Sequence, residues 1–384
     1  MPINYLELQP QISEYCLQAR QHFLTRPQKV ETAIALLKRF SEEYQRGAHQ
    51  DIAADIAASS VNRAALPALE PVDRVHAHSQ TQESCALLAS DGSQISSTHH
   101  DAFPLSMINT STVFMQPGSG DVPQVKTQTE FIRAQDGSID ASILPEQWVN
   151  TARDVRELQV LANYTYSEET PLIVLGDGPL ELFQEPRSGE AHQILFQEYL
   201  QALTALCRQN RICAGYTDKP RANLVLKLLE FIFQNEPGLD INGIADADIF
   251  SLLLPPASRS SVFALHSPSS NAYRNEIALN FFYLNVGTAN RPWIVRVEIA
   301  ACTANQTDMI ALLQQTLLDQ CALMGSRPYP YILHRAHEEA VVHFEERENV
   351  IGMLTKTLLQ MGIDPAAQSN KLNAKELAQR TRLK

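Results

Sequence analysis

The chain has 384 residues, 44% of them hydrophobic, with 31 Lys and Arg against 43 Asp and Glu and a formal net charge of -12. That is enough apolar material for one large domain or two ordinary ones, and no apolar run approaches the ~18 residues that mark a membrane-spanning helix. The acid excess excludes a protein that grips nucleic acid through its overall charge, so any phosphate contact must come from a local basic cluster.

The opening MPINYLELQPQISEY has no apolar core of a secretory leader, which predicts a cytoplasmic protein. Cysteines at 16, 85, 207, 213, 302 and 321 include no CxxC pair. They suit neither a zinc knuckle nor a disulfide framework, and reduced, mostly buried thiols are expected.

Residues 3–47 read as two helices, with Val30, Ile34, Leu37 and Phe40 on one stripe. A helical fragment follows at 51–65, then a linker around LPALEPVD, marked by Pro67 and Pro71. From residue 84 the pattern changes. CALLAS (85–90) is a short buried strand ending in a turn at Asp91-Gly92-Ser93. Residues 105–115 and 125–133 are β-rich, so three strands with short links predict an antiparallel meander. Residues 146–166 are a helix, 171–180 an apolar strand closed by Asp177-Gly178, 192–209 a helix and 211–217 a strand. Another helix begins after Pro220.

Strand, strand, strand, helix, strand, helix, strand is the order of a ribonuclease H-like core, an α/β fold with a mixed sheet flanked by helices. The second half adds a helix at 246–254, strands at 261–265, 279–287 and 293–301 (the last two a hairpin), and a helix at 307–324. A long helix at 336–361 and a basic tail with Lys371, Lys375, Arg380, Arg382 and Lys384 follow. The helices at the two ends are additions to the core.

In this layout Asp91 ends the first core strand and Asp177 the fourth, which in such a sheet lies beside the first. Glu157 sits on the intervening helix. Converging carboxylates repel and need cations, and hard oxygen ligands select Mn²⁺ or Mg²⁺ over zinc. Two such ions ~3.5–4 Å apart would activate water and stabilise the leaving oxygen of a phosphodiester. Taken singly, each Asp-Gly is more often a plain turn, and Glu157 a surface partner of Arg153 or Arg156. The combination carries the reading.

Basic residues gather in RQNRICAGYTDKPRANLVLK: Arg208, Arg211, Lys219, Arg221 and Lys227 against one acid, Asp218. This stretch is a phosphate track or a solvated face, and Arg259 is a second candidate phosphate contact. His337 alone would be a cap or core histidine. Its string HEEAV excludes a zincin, because Val341 stands where the second histidine would be. His99, His100 and Asp101 read as a solvated loop. No Walker A motif occurs, so any ATP-driven motor is another chain.

The stretches LLASDGSQIS, RDVRELQVL, LIVLGDGPLE, GYTDKPRANLV, DADIFSLLLPPASRSSVF, FFYLNVG with WIVRVEIA, and RPYPYILHRAHEEAVV, in that order, resemble NurA nucleases. The resemblance spans about residues 80–345, with a helical region and linker at 1–80, a NurA-like domain at 81–345 and a helix end with basic tail at 346–384. It implies a manganese-dependent nuclease acting on DNA ends, a symmetric homodimer, and work with a hexameric HerA-type ATPase. It also implies Asp91, Glu157 and Asp177 as metal-binding acids. His337 becomes a metal ligand or proton donor, and Tyr329 a site tyrosine with Tyr331 as its competitor. The alternative is a non-catalytic scaffold that guides DNA for a translocating ATPase.

Overall fold

The computed structural model describes residues 4–78, 84–96, 105–132, 144–166, 170–182 and 189–362. The chain opens with helices α1 (Tyr5–Gln45) and α2 (Ile52–Ala58), then short strands β1 (Ala64–Pro67) and β2 (Val75–His76). Strands β3 (Ala86–Ile95), β4 (Ser106–Met115) and β5 (Gln124–Ile132) precede helix α3 (Glu146–Ala162). Then come β6 (Leu172–Asp177), α4 (Glu190–Arg208), β7 (Ile212–Thr217), α5 (Leu224–Ile232) and α6 (Asp246–Leu253). Strands β8 (Arg259–Ser260), β9 (Phe263–His266), β10 (Leu279–Asn285) and β11 (Ile294–Ala300) follow, with a single 3₁₀ turn before β10. Helices α7 (Ala301–Ala304), α8 (Thr307–Ala322), α9 (Tyr331–Ala340) and α10 (Phe344–Gln360) complete the described chain.

The molecule divides into two compact units, each built from separate stretches of sequence. The first comprises Met1–Glu83, Gly178–Glu181 and Ile212–Pro330. Its strands run β1-β9-β10-β11-β7, with every neighbour antiparallel. The β10–β11 hairpin is closed by a bridge between Thr288 and Arg291, as its sequence predicts. Both strands are buried along their whole length, and the charges they bury are paired, Arg296 with Glu298 at 2.8 Å.

A polar knot lies inside this unit. Asp246 is fully buried and accepts hydrogen bonds from Val225 N (2.9 Å), Leu226 N (3.0 Å) and the Tyr283 hydroxyl (2.7 Å). It thereby satisfies donors in the first turn of α5 that no intrahelical carbonyl can reach. Burial lifts its carboxyl from 3.8 to about 6 even though these donors hold it down. The folded chain therefore binds that proton more tightly than the unfolded one. The contribution favours folding at low pH and is lost as pH rises from about 4 through about 6. Asp246→Asn is expected to flatten this slope, worth about 3 kcal/mol at most. Urea midpoints at pH 4 and 6.5 measure it, and an equal slope in both proteins would show that the buried charge is not penalised.

The second unit comprises Ser84–Asp177, Leu182–Arg211 and Tyr331–Lys384. Its strands run β5-β4-β3-β6: the β3-β4-β5 meander is antiparallel, and β6 joins β3 in parallel. Helix α3 covers one face, burying Val149, Ala152, Val155, Leu158 and Leu161 at helical spacing.

Several expectations are corrected. Residues 5–45 form one helix, not two, and it runs through Pro10 and Pro27. Pro27 removes a helical hydrogen bond. Flanking ion pairs of Arg26 with Asp248 and of Lys29 with Asp240 hold the helix on both sides of it. The end of the helical fragment expected at 51–65 and the start of the expected linker together form strand β1, which pairs with β9 and carries Pro67 at its last position, where a strand tolerates proline. The helix expected at 336–361 is two. The carbonyl of Ala340, which would continue α9, accepts hydrogen bonds from Ser93 and Asn109, and His343 N donates to Glu346 to start α10. Cys16, Cys85, Cys213 and Cys321 are free thiols as expected, whereas Cys207 and Cys302 are not. The basic tail and the His99-His100-Asp101 loop lie outside the described residues.

Candidate active site

The site is built where β3 outruns β6. Their parallel register pairs Ala86 with Leu172 through Ser90 with Gly176. One step further it sets Asp91 level with Asp177, the last residue of β6. Asp91 is thus not at a strand end or in a turn, as the Asp-Gly pair suggested. Strand β3 continues through it, with Asp91 opposite Ser111 and Gly92 opposite Thr110. What ends at this level is the neighbouring strand, and Gly178 with φ +98° turns the chain away in a conformation that favours glycine.

Alternation along β3 distributes the chemistry over two faces. Asp91 and Ser93 turn toward α9, where His337 Nδ1 lies 2.7 Å from Asp91 Oδ2 and Ser93 Oγ donates to Ala340 O at 2.5 Å. Ser90 and Gly92 turn toward α3, where Ser90 Oγ donates to the Glu157 carbonyl at 2.9 Å. A Cβ at Gly92 would lie 2.7 Å from Glu157 Oε1 and 2.8 Å from Arg153 Cγ. Only glycine lets the Glu157 carboxylate approach the strand this closely.

Glu157 is 16% exposed, with Arg153 Nε 3.2 Å from its Oε1. Burial raises its carboxyl well above the ordinary value. The Arg153 charge opposes this, and the charges of Asp154, Asp91 and Asp177 add to it. Asp154 is also raised, by burial first; Arg153 works against the shift and Asp91 with it. Four carboxylates therefore share one field. Sequence reading missed Asp154, although its position three residues before Glu157 on one helix was the available signal.

Among the described residues no three His, Cys, Asp or Glu side chains are gathered closely enough to enclose an ion. The donor chemistry nevertheless fits a hard divalent cation. Glu157 Oε1 is buried with no hydrogen-bond partner, lies 3.2 Å from Arg153 Nε and feels the charges of Asp154, Asp91 and Asp177, and such an oxygen suits a hard divalent cation. His337 is exposed, with its Nδ1 held by Asp91.

The other candidates fall elsewhere. Tyr329 belongs to the other unit, where it meets Tyr216 edge-on with ring centroids 5.6 Å apart. Tyr331 is the first residue of α9, the helix that carries His337. Arg208 ends α4 and is exposed. Arg211 is buried and donates to the carbonyls of Leu161 (2.7 Å) and Tyr164 (2.5 Å), which ties it to the end of α3 rather than to solvent. Arg259 is 3% exposed and forks onto Glu70, both bonds 3.0 Å. Lys227 pairs with Glu230. Lys219 and Arg221 are exposed. The ammonium of Lys219 sits 4.3 Å from the Trp293 ring centroid and the guanidinium of Arg291 5.5 Å from it, a cation–aromatic cluster that sequence reading did not assemble.

An antiparallel meander joined in parallel by a fourth strand, with carboxylates at the level where that strand stops, defines a ribonuclease H-like fold bearing an acidic site. The family model described as the NurA domain matches residues 85–342, and the chain belongs to the NurA family. It is similar in fold to the crystal structure of the NurA nuclease from Sulfolobus solfataricus, with 12% identity, TM-score 0.50, and coverage of 84% of this chain and 96% of that one. The catalytic domain of human Endonuclease V aligns at 15% identity and TM-score 0.34, covering 84% of this chain and 98% of that one. A search of curated proteins finds no match. Among the described residues no helix is long and apolar enough to cross a membrane.

Proposed function

We propose that the chain is a metal-dependent DNA nuclease that hydrolyses phosphodiesters, with single-strand exo- and endonuclease action and processing of double-strand ends. The observation that carries this is the parallel register that sets Asp91 level with Asp177 beside the buried Glu157. Membership of a family whose Sulfolobus member is a nuclease supports it. Asp91, Glu157 and Asp177 would hold Mn²⁺, or Mg²⁺, with Asp154 adding charge nearby. The bound ion would supply an activated water and a counter-charge for the leaving oxygen. The chain's own part is to fix Asp91 and Asp177 on neighbouring strands and Glu157 on α3, and to orient His337. Asp91 occupies His337 Nδ1, which leaves Nε2 as the nitrogen that can take a ligand position or donate a proton to the leaving oxygen. Labelled single- and double-stranded DNA with Mn²⁺, Mg²⁺ or EDTA tests the reading: cleavage with metal and none with EDTA is expected. Binding of DNA with no cleavage under any metal would instead make it a guiding scaffold.

Substrate contacts would come from Lys219, Arg221 and Arg291 rather than from the buried Arg211 and Arg259. Changing these three to alanine is expected to weaken DNA binding and to lower the slope of log K against log salt by about 0.7–0.9 for each phosphate no longer neutralised. An unchanged slope would make the patch a solvated face. Family membership further supports a symmetric homodimer working with a HerA-type hexameric ATPase. Light scattering of the chain alone, and its co-migration with such an ATPase, measure these two expectations separately.

A further inference from the structure

The acids of the site share a resident cation. Arg153, one turn before Glu157 on α3, donates from Nη1 to Gln94 Oε1 at 3.0 Å and from Nη2 to Asp154 Oδ1 at 2.8 Å. Its Nε faces Glu157 Oε1 at 3.2 Å, within ion-pair reach. This third approach differs in kind from the first two: Nε and Oε1 are both buried, yet neither makes a hydrogen bond. The guanidinium is anchored by its outer nitrogens and only abuts Glu157. A permanent Arg–carboxylate pair forms two aligned bonds, and this one forms none. The charge of Arg153 favours the ionised Glu157 carboxylate, set against those of Asp154, Asp91 and Asp177.

We propose that Arg153 is the counter-cation of the metal-free site, and that a divalent ion can engage Glu157 only by displacing it, the guanidinium moving onto the Asp154 and Gln94 oxygens that already hold it. This rests on the carboxylate-nuclease reading and concerns the regulation of that same site. The geometry explains why both a berth and an opening exist. Two cations cannot share one carboxylate oxygen without strong repulsion, and the misaligned Nε–Oε1 approach has no hydrogen bond to break. Gly92 supplies the space in which both Glu157 Oε1 and the Arg153 stem lie, so neither side chain is wedged by the strand. Arg153 is a positioning residue: it touches no reacting atom and sets when Glu157 is available.

Calorimetric titration of Mn²⁺ into the full chain without DNA provides the test. Arg153→Gln is expected to bind Mn²⁺ about tenfold more tightly than wild type, because the competing charge is gone, and to melt at lower temperature without metal but not with saturating Mn²⁺. Arg153→Lys, which keeps the charge, is expected to stay near wild-type affinity. Equal or weaker Mn²⁺ binding by Arg153→Gln would overturn the proposal and make Arg153 a purely structural link. Should that variant not fold, wild-type protein labelled at arginine Nε answers the same question by NMR, with Arg153→Lys giving the assignment. The Arg153 Nε–H signal is expected to shift on Mg²⁺ addition, and a signal unmoved at saturation would overturn the proposal. If wild type binds neither ion while Asp177→Asn behaves identically, the carboxylate reading itself fails, and the role of Arg153 with it.

Discussion

Asp177→Asn is expected to remove metal-dependent cleavage, by on the order of a thousandfold or more, while leaving the fold intact. The expectation follows from position. Asp177 closes a strand whose parallel register brings it level with Asp91, and it is exposed rather than part of the core, so under the proposed reading its carboxylate would serve the ion. Asparagine keeps the shape and loses the charge, and removal of a single aligned electrostatic group at a reacting centre costs ~10²–10³ in rate even without a metal at stake. Asp91→Asn should act alike, with the difference that it also alters the partner of His337 Nδ1. Since the change relieves repulsion among acids, the metal-free melting temperature should hold or rise. Wild-type cleavage by either variant would place the reaction elsewhere.

Glu157→Gln is the second large effect. An exposed ion pair between Glu157 and Arg153 would contribute at most about 1 kcal/mol and leave catalysis alone. The structure instead puts Glu157 at 16% exposure under the combined field of three other acids. Its folded carboxyl is raised, so the folded state holds the proton more tightly than the unfolded one, and stability falls as pH rises above the unfolded value. Glutamine removes that fall. The variant should therefore melt higher at neutral pH without metal, bind Mn²⁺ more weakly, and cleave about a hundredfold more slowly or worse. Metal affinity and rate measured on one preparation decide it: if both are unchanged, Glu157 is a structural residue.

The order of elements around the site was legible because its signals are local. Period-2 and period-3.6 apolar patterns placed β3 to β6 and the helices between them, and strand order then put Asp91 and Asp177 side by side. Less legible was whatever depends on partners distant in sequence. Asp91-Gly92 has turn chemistry, yet nine cross-strand pairs with β4 carry the strand straight through it. The glycine serves Glu157, 65 positions away, and nothing around residue 92 announces that. Arg211 and Arg259 look the same in sequence as Lys219 and Arg221. The carbonyls of Leu161 and Tyr164, and the carboxylate of Glu70, are what separate them. The break before α10 is likewise imposed from outside, by Ser93 and Asn109 reaching the Ala340 carbonyl.

Those last two hydrogen bonds bear on how the protein is made. The unit that carries the acids is closed by its third stretch, which begins at Tyr331. During synthesis Asp91, Glu157 and Asp177 leave the ribosome before His337, which follows Asp177 by 160 residues, a delay of ~8–32 s at 5–20 residues per second. Throughout that interval β3 and β4 lack the helix that docks on Ser93 and Asn109, and Asp91 lacks its imidazole. A chain released before Tyr331 thus carries Asp91, Glu157 and Asp177 without the helix and the imidazole that meet β3.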